Sequence, residues 1–418
     1  MTWPMLFGVL ALMSFQLADS AFIGQLGVVP LATVGFTLPV YQVIVGIQVG
    51  LGIATTAIIS RAIGAKEDNY ANQVGGLIIL AGALIIMTLC SFIWLFRQPI
   101  LALLGAERTL LPWVDKYWAI WLISAWSGAM LYFGYSICRA HGNTLRPGTV
   151  MIITSLLNIA LDPLFIFVFD WGISGAAWAT LTCFWLGGLL VYPKIWRNRW
   201  LSFDCTSINL KNTLVELSKV MGPAMLSQFM PSVSAILATS MVAAYGTSAV
   251  AAWGLGIRLE FFSIVIVLAM TMSIPPMLGK LFGAGDNRQI AQVLKLSMLF
   301  ILAWQFVVYL IWLAASPLLI AILTREATVA EDLQHYIATV PFSYGALGIC
   351  MLLVSACNAI GMPFWGLATS FTRLFVCYLP FLWAGSQING FHGLITGAMT
   401  GNLVAGWMAW RIYARQSN

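Results

Sequence analysis

The sequence predicts an all-α integral membrane protein, with twelve transmembrane helices in two pseudo-symmetric six-helix bundles around a central cavity. Three observations predict this fold class. Hydrophobic residues make up 61% of the 418 residues and charged residues only 8%, a balance that does not suit a water-soluble globule. Apolar stretches of about 20 residues or more, the length that crosses a bilayer, recur along the chain. The second half of the chain also repeats the first.

The apolar stretches define twelve predicted spans, each long enough to cross a hydrocarbon core about 30 Å thick. The longest segment between them, residues 195–213, is too short for a soluble domain. The predicted spans cover residues 2–23, 34–59, 73–96, 114–138, 148–169, 173–194, 214–242, 250–279, 291–315, 331–357, 364–386 and 391–412.

An internal repeat divides the chain into halves. A shift of 219 residues aligns the halves without gaps over about sixty positions, so that the loop RAIGAKEDN at 61–69 is echoed by KLFGAGDNR at 280–288. Six spans return the chain to its starting side, and the halves are therefore expected to be related by a two-fold axis along the membrane normal. The predicted domains are an N-lobe of residues 1–194, a cytoplasmic linker of 195–213 and a C-lobe of 214–418.

Basic residues are distributed unevenly between the two sides of the membrane. If the N-terminus is cytoplasmic, 15 of the 20 Lys and Arg residues fall on the cytoplasmic side and four on the other. This bias follows the positive-inside rule and places both termini in the cytoplasm. It also explains the net charge of +6 more simply than nucleic-acid binding does, so no nucleic-acid partner is expected.

The cysteines and histidines do not suggest redox or metal chemistry. The seven cysteines fall mostly within spans and show no Cys-x-x-Cys or Cys/His spacing, and His141, His335 and His392 are scattered along the sequence. We therefore expect no disulfide framework, no metal site and no cofactor.

Two carboxylates lie well inside predicted spans, Asp19 in span one and Asp162 in span five. A charge at the bilayer centre costs roughly 2.5–3.5 kcal/mol on insertion scales, and such residues usually mark a transport pathway or a relay. The repeat places Ala238 opposite Asp19 and, approximately, Tyr378 opposite Asp162. At 1.5 Å of rise per residue, both acids lie roughly 6–10 Å inside the outer ends of their spans.

Other polar residues are expected at the same depth. Asn158 precedes Asp162 by four residues and shares its helix face, Thr180 reaches the same level in span six, and Tyr117 lies near the outer end of span four. Two nearby carboxylates resist double ionisation, so this set is suited to share one proton or to bind a small cation. Alternatives are a structural hydrogen bond for Asp19 and a place in the interfacial aromatic belt for Tyr117.

The second half has its own ionisable pair, Arg258 and Glu260, near the outer end of span eight. Residues two apart do not share a helix face, so a local ion pair is not expected. Pairing with other helices and contact with a substrate both stay open for these two residues.

Several motifs together resemble a known family. They are LADSAFIGQLG followed by LATVGF, the RAIGAKED loop, CRAHGNTLRP, NIALDPLFIF and WGISGAAWAT. The chain resembles, over essentially its whole length, the multidrug and toxic compound extrusion (MATE) transporters, and more closely their prokaryotic DinF-like branch. The resemblance implies a monomeric, secondary active multidrug efflux antiporter of the bacterial cytoplasmic membrane, which exports cationic or amphiphilic small molecules in exchange for protons.

The resemblance also implies roles for individual residues. Asp19 and Asp162, with Asn158, become the cation-coupling residues, and Thr180 and Tyr117 become part of the substrate or coupling pocket. Pro4, fifteen residues before Asp19, matches the proline at which the first helix of the family is proposed to bend when the acid is protonated.

The chain departs from the sodium-coupled NorM-like branch, which places acids in spans seven and ten. The corresponding stretches here, PAMLSQFMPS and VPFSYGALG, contain none, so a second-lobe cation site of that kind is not expected.

Proton-coupled antiport has three alternatives. The first is sodium-coupled antiport by the same carboxylates. A lipid-precursor flippase of the wider superfamily is another, although it would be expected to line its cavity with arginines or lysines. An intramembrane aspartyl protease also uses two membrane aspartates, but its usual Gly-x-Gly-Asp setting is absent from NIALDP.

Overall fold

The computed structural model describes residues 2–106, 108–204 and 209–416. These residues form helices and connecting turns without a β-strand, and eleven of the described helical stretches are long and apolar enough to cross a membrane. The prediction of an all-α membrane protein is confirmed. Contacts divide the chain into two compact units, Met1–Met225 and Leu226–Asn418.

The first unit contains the predicted spans one to six. Their order along the chain is α1 (Thr2–Gln25), α2 (Val28–Gly64), α3 (Asp68–Leu95), the short α4 (Arg97–Leu103), α5 (Leu111–Ala140), α6 (Leu145–Pro163) with a π-helical turn (Leu164–Val168), and α7 (Gly172–Arg197). The next helix, α8 (Leu210–Ala243), contains the boundary between the two units. The described part of the predicted linker 195–213 therefore belongs to the first unit, while the lobe boundaries stay a prediction.

The second unit contains more interrupted helices than the first. They are α9 (Thr247–Ser263), α10 (Val265–Ser273), α11 (Pro275–Gly283), α12 (Asn287–Leu323), α13 (Ala327–Thr339), α14 (Tyr344–Ala359), α15 (Pro363–Phe371) with a π-helical turn (Thr372–Tyr378), and α16 (Leu379–Gln416). Predicted span eight is broken into α9, α10 and α11, and the last break precedes Pro275 and Pro276, which donate no backbone hydrogen bond.

The last helical stretch, residues 363–414, is 52 residues long, more than twice what a bilayer requires. Its backbone leaves the helical conformation at Asn389 (φ −141°) and Gly390 (φ 58°). This break lies between predicted spans eleven and twelve, so the stretch holds both of them.

The internal repeat is visible in the backbone as well as in the sequence. Left-handed residues recur at equivalent turns of the two units, at a shift of 219 residues for the first three pairs and 218 for the last. The pairs are Gly27 (φ 116°) with Gly246 (96°), Lys66 (63°) with Gly285 (76°), Gly142 (87°) with Gly361 (82°), and Gly172 (54°) with Gly390 (58°). The two units therefore repeat the same connections, although most side chains differ.

Small residues bring α1 and α6 into direct backbone contact. A Cβ added to Gly8 would lie 3.1 Å from the carbonyl oxygen of Gly148, and a Cβ added to Gly148 would collide with the carbonyl of Pro4. Backbone atoms cannot rotate away as a side chain can, so this contact depends on the missing Cβ atoms. It holds together the two helices that carry Asp19 and Asp162.

We predict that Gly148→Ala lowers the stability of the first unit. The new methyl group must push α1 away from α6, which should cost about 1–3 kcal/mol, as overpacking does in protein cores. Thermal unfolding of the purified protein in detergent measures the effect. The control is Gly24→Ala on α1, where an added Cβ meets no atom within 4 Å and alanine favours the helix. Equal melting temperatures for the two variants would contradict the close-packed contact.

Candidate functional site

Asp162 lies at the end of α6, where the regular helix gives way to the π-helical turn. The side chain is 0% exposed. The next residue, Pro163, has no N–H group, so the α-helical hydrogen-bond ladder is interrupted beside the carboxylate. A Cβ on Gly175 of α7 would lie only 2.6 Å from the carbonyl oxygen of Phe165 in the turn. Close backbone packing against α7 therefore fixes the turn that follows Asp162.

Asn158 connects the Asp162 carboxylate to α7. With its NH₂ group facing the carboxylate, Asn158 Nδ2 donates to Asp162 Oδ2 at 2.9 Å, and its Oδ1 accepts from the Thr180 backbone N–H at 3.3 Å. In the opposite amide orientation, Nδ2 lies 3.4 Å from the Thr180 hydroxyl. The structure thus brings together three of the residues singled out in the sequence, and Asn158 supplies the donor that holds one carboxylate oxygen.

Asp19 approaches this group from α1. Its side chain is partly exposed, and its charge acts on Asp162 across the contact between α1 and α6. Among the described residues, both Asp19 Oδ1 and Asp162 Oδ1 are buried without a hydrogen-bond partner. Buried acceptors normally have a donor, so two unpartnered carboxylate oxygens in one region suit a site that receives a proton or a cation.

Tyr117 places an aromatic ring beside the two carboxylates. It lies on α5, only 5% exposed, within electrostatic range of Asp19, Asp162 and Tyr41. Its ring stacks on that of Trp121 with centroids 6.3 Å apart. Tyr117 therefore faces the interior of the first unit, next to the carboxylates.

Pro4 occupies a different place from the carboxylates. It lies in the first turn of α1, where a proline breaks no helical hydrogen bond, and α1 continues without interruption to Gln25. Its carbonyl faces Gly148. The role of Pro4 as a hinge stays a prediction.

Two further residues belong to this region that the sequence did not single out. Ser155 is 2% exposed, and its hydroxyl has no hydrogen-bond partner among the described residues. It lies three residues before Asn158 and seven before Asp162, on the same face of α6, so the pattern Ser-x-x-Asn-x-x-x-Asp was an available signal. No sequence spacing related Tyr41, in the middle of α2, to the site, because its neighbours there come from other helices.

The two residues of the ionisable pair of the second unit differ in their exposure. Arg258 is exposed, whereas Glu260 is partly buried and lies within electrostatic range of Arg373 in the second π-helical turn. Among the described residues, no group of three or more His, Cys, Asp or Glu side chains is arranged to hold a metal ion.

Comparison with protein families gives one match that covers most of the chain. A family model described as MatE matches residues 4–164 and again residues 223–384. The two matched segments begin 219 residues apart, which is the shift of the internal repeat.

Individual relatives cover nearly the whole chain. It is 32% identical over 413 residues to the FAD transporter of Shewanella oneidensis, covering 97% of this chain and 91% of that protein. It is 25% identical over 411 residues to the multidrug export protein MepA of Staphylococcus saprophyticus, covering 96% and 88%. The crystal structure of the Vibrio cholerae MATE transporter VcmN in the bent form is 52% identical, with a TM-score of 0.98 and coverage of 100% and 95%.

We predict that Asn158→Leu destabilises the first unit and that Ser155→Ala does not. Leucine removes the donor to Asp162 Oδ2 at similar volume, and an unsatisfied buried acceptor costs about 1–3 kcal/mol. Ser155→Ala on the same face removes a hydroxyl without a partner and should leave stability unchanged or raise it. Thermal unfolding in detergent compares the variants, and a Ser155→Ala loss as large as that of Asn158→Leu would contradict the hydrogen-bond assignment.

Proposed function

The chain belongs to the MatE family of secondary membrane transporters, and we propose that it exports cationic or amphiphilic small molecules in exchange for protons. The chain is a multi-pass membrane protein and not an enzyme. The observation that supports proton coupling most directly is the pair of neighbouring carboxylates, Asp19 and Asp162, whose Oδ1 atoms are buried without hydrogen-bond partners.

Coupling follows from competition for these two charges. When both acids are ionised, any cation that binds between or beside them relieves their repulsion and compensates the missing donors at their Oδ1 atoms. A proton that binds either acid gives the same relief and removes the attraction for the organic cation. Proton and substrate therefore exclude one another, and thermodynamic linkage makes this exclusion reciprocal.

The other residues of the site have distinct roles in this proposal. Asn158 keeps a donor on Asp162 in both states, so a proton exchanges at the opposite oxygen of that carboxyl. Tyr117 gives an aromatic wall suited to flat or apolar cations. Uptake of a proton from the outside repacks α1 around Pro4, narrows the pocket and releases the substrate, and proton release to the cytoplasm restores the affinity.

The driving force is sufficient for useful export. A proton-motive force of 100 mV supplies about 2.3 kcal/mol per charge. For one-to-one electrogenic exchange this corresponds to a substrate gradient of about fifty-fold. The proposal places the protein as a monomer in the bacterial cytoplasmic membrane with both termini in the cytoplasm, as the distribution of basic residues favours.

Sodium-coupled antiport by the same site remains the alternative for the coupling ion. Carboxylate oxygens bind small cations as well as protons, and the interrupted helix beside Pro163 leaves the carbonyl of Ile159 without its usual donor. A sodium gradient is therefore needed beside a proton gradient to identify the coupling ion.

Export of FAD is a second candidate function, because the relative that is 32% identical is named an FAD transporter. FAD carries a pyrophosphate and requires cationic or N–H donors. In the described part of the chain, Arg139 is the only buried Lys or Arg (4% exposed), and its guanidinium already donates to Ser136 and stacks on Tyr132. The carboxylate cluster favours a cationic substrate over FAD and over a pyrophosphate-linked lipid.

We predict that Asp19→Asn and Asp162→Asn each abolish substrate-induced proton release. The purified protein in liposomes receives ethidium as the cationic probe, and a pH-sensitive dye records the protons released, with a sodium gradient replacing the proton gradient in a parallel series. Asp115→Asn is the control, because this exposed carboxylate pairs with Arg97 at 2.6 Å outside the cluster and surface pairs contribute little. Undiminished coupled transport in both cluster variants would refute the assignment.

We also predict that ethidium, and not FAD, exchanges across the liposome membrane. Liposomes preloaded with unlabelled probe are diluted into labelled probe, and counterflow is measured for each compound separately. Counterflow of FAD without counterflow of ethidium would replace the first proposed substrate class by the second.

A further inference from the structure

The second unit contains a polar cluster at the positions that correspond to the carboxylate cluster of the first unit. Three pairs of positions correspond between the two clusters. Tyr41 corresponds to Glu260 and Tyr117 to Tyr336, both at the repeat shift of 219 residues. Asp162 corresponds to Tyr378 at a shift of 216 residues, which also aligns Pro147 with Pro363. In each unit the tyrosine, Tyr117 or Tyr336, lies within electrostatic range of the other two residues, so the repeat has kept the place of the cluster while exchanging its members.

One face of α9 builds this cluster. Trp253, Gly256 and Glu260 follow at helical spacing. The ring of Tyr336, from α13, lies directly on Gly256, where an added Cβ would be 2.6 Å from the nearest ring atom. Trp253 meets the same ring edge-on, with centroids 5.7 Å apart and an interplanar angle of 85°. The missing side chain at Gly256 thus lets an aromatic wall form beside the Glu260 carboxyl.

Three tyrosine hydroxyl groups lie near the acid. Glu260 lies within electrostatic range of Tyr336, Tyr344 and Tyr378. Tyr344 is 0% exposed, and its hydroxyl, although adjacent to that of Tyr336, makes no hydrogen bond of acceptable geometry among the described residues. A buried hydroxyl without a partner can donate to a nearby carboxyl group when that group is ionised and accept from it when it is protonated.

The charged group that faces Glu260 from another helix is Arg373, in the π-helical turn after α15. The two are within electrostatic range, but the described salt bridges do not include them. An ionised carboxylate among buried aromatic rings is costly without a directly bonded counter-charge. A distant arginine compensates only part of this cost, so Glu260 is suited to bind a proton.

We propose that Glu260 is a second proton-binding carboxylate of this transporter, surrounded by Tyr336, Tyr344 and Tyr378 and opposed by Arg373, so that each unit binds its own proton. The inference goes beyond the proposed function, which places the exchanged proton only in the first unit. The proposed site differs from the cation site that the sodium-coupled branch has in spans seven and ten. Its acid lies on span eight, and the partners of the acid are tyrosines of spans ten and eleven.

Infrared difference spectroscopy of the full-length protein in lipid tests the proposal without requiring transport. The spectrum is recorded between alkaline and neutral pH, where exposed carboxylates stay ionised, and the carbonyl stretch of protonated carboxyl groups is compared among variants. We expect Glu260→Gln to lose one component of this band. The component should persist in the Asp19→Asn/Asp162→Asn double variant and in Glu331→Gln, whose carboxylate is exposed on α13 of the same unit.

Glu260→Asp guards against a variant that fails to fold, because it keeps a carboxyl group and should move the component to a different frequency. A Glu260→Gln spectrum that superimposes on that of the wild type at every pH, or a component that Glu260→Asp leaves unmoved, would overturn the proposal. The proposal would also be overturned if the component that Glu260→Gln loses were absent from the double aspartate variant, because the proton would then belong to the first unit. Undiminished ethidium-induced proton release in the aspartate variants would refute only the proposed function, so the two failures are distinguishable.

Discussion

The backbone contact between α1 and α6 is the constraint on which the carboxylate cluster depends. Asp19 and Asp162 are far apart in the sequence and lie on different helices, so they share an electrostatic environment only if those helices touch. Gly8 and Gly148 allow that contact, since a Cβ on Gly148 would collide with the carbonyl of Pro4. The same contact connects the cluster to the first turn of α1.

The two units share a backbone plan and differ in where they carry their acids. Left-handed residues occur at equivalent turns, and both units have a π-helical turn in their fifth span. The first unit has acids on α1 and α6, whereas the second has an alanine and a tyrosine there and its acid on α9. Tyr117 and Tyr336 occupy the same place in both. The repeated fold thus specifies where polar groups gather, and a few substitutions decide which ionisable groups they are.

The sequence predicted the elements better than their interruptions. Hydropathy located the twelve spans because each must bury its backbone in lipid, but it did not predict the division of span eight or the π-helical turns, which result from prolines and from packing against other helices. In the site, helical spacing related Asn158 to Asp162, and matched depth related Thr180 to both. Tyr41, Ser155 and the partners of Glu260 were missed, because contacts between distant helices leave no local periodicity.

The π-helical turns after Asp162 and in span eleven each hold one residue more than an α-helical ladder requires. A span with such a turn can convert it to α-helix and shift the extra residue along the chain. Each conversion changes the length by about 1.5 Å and the helical phase by about a quarter of a turn, without leaving a long run of broken hydrogen bonds. Conversion of the π-helical turn therefore allows one end of the fifth span of each unit to rotate relative to the other end.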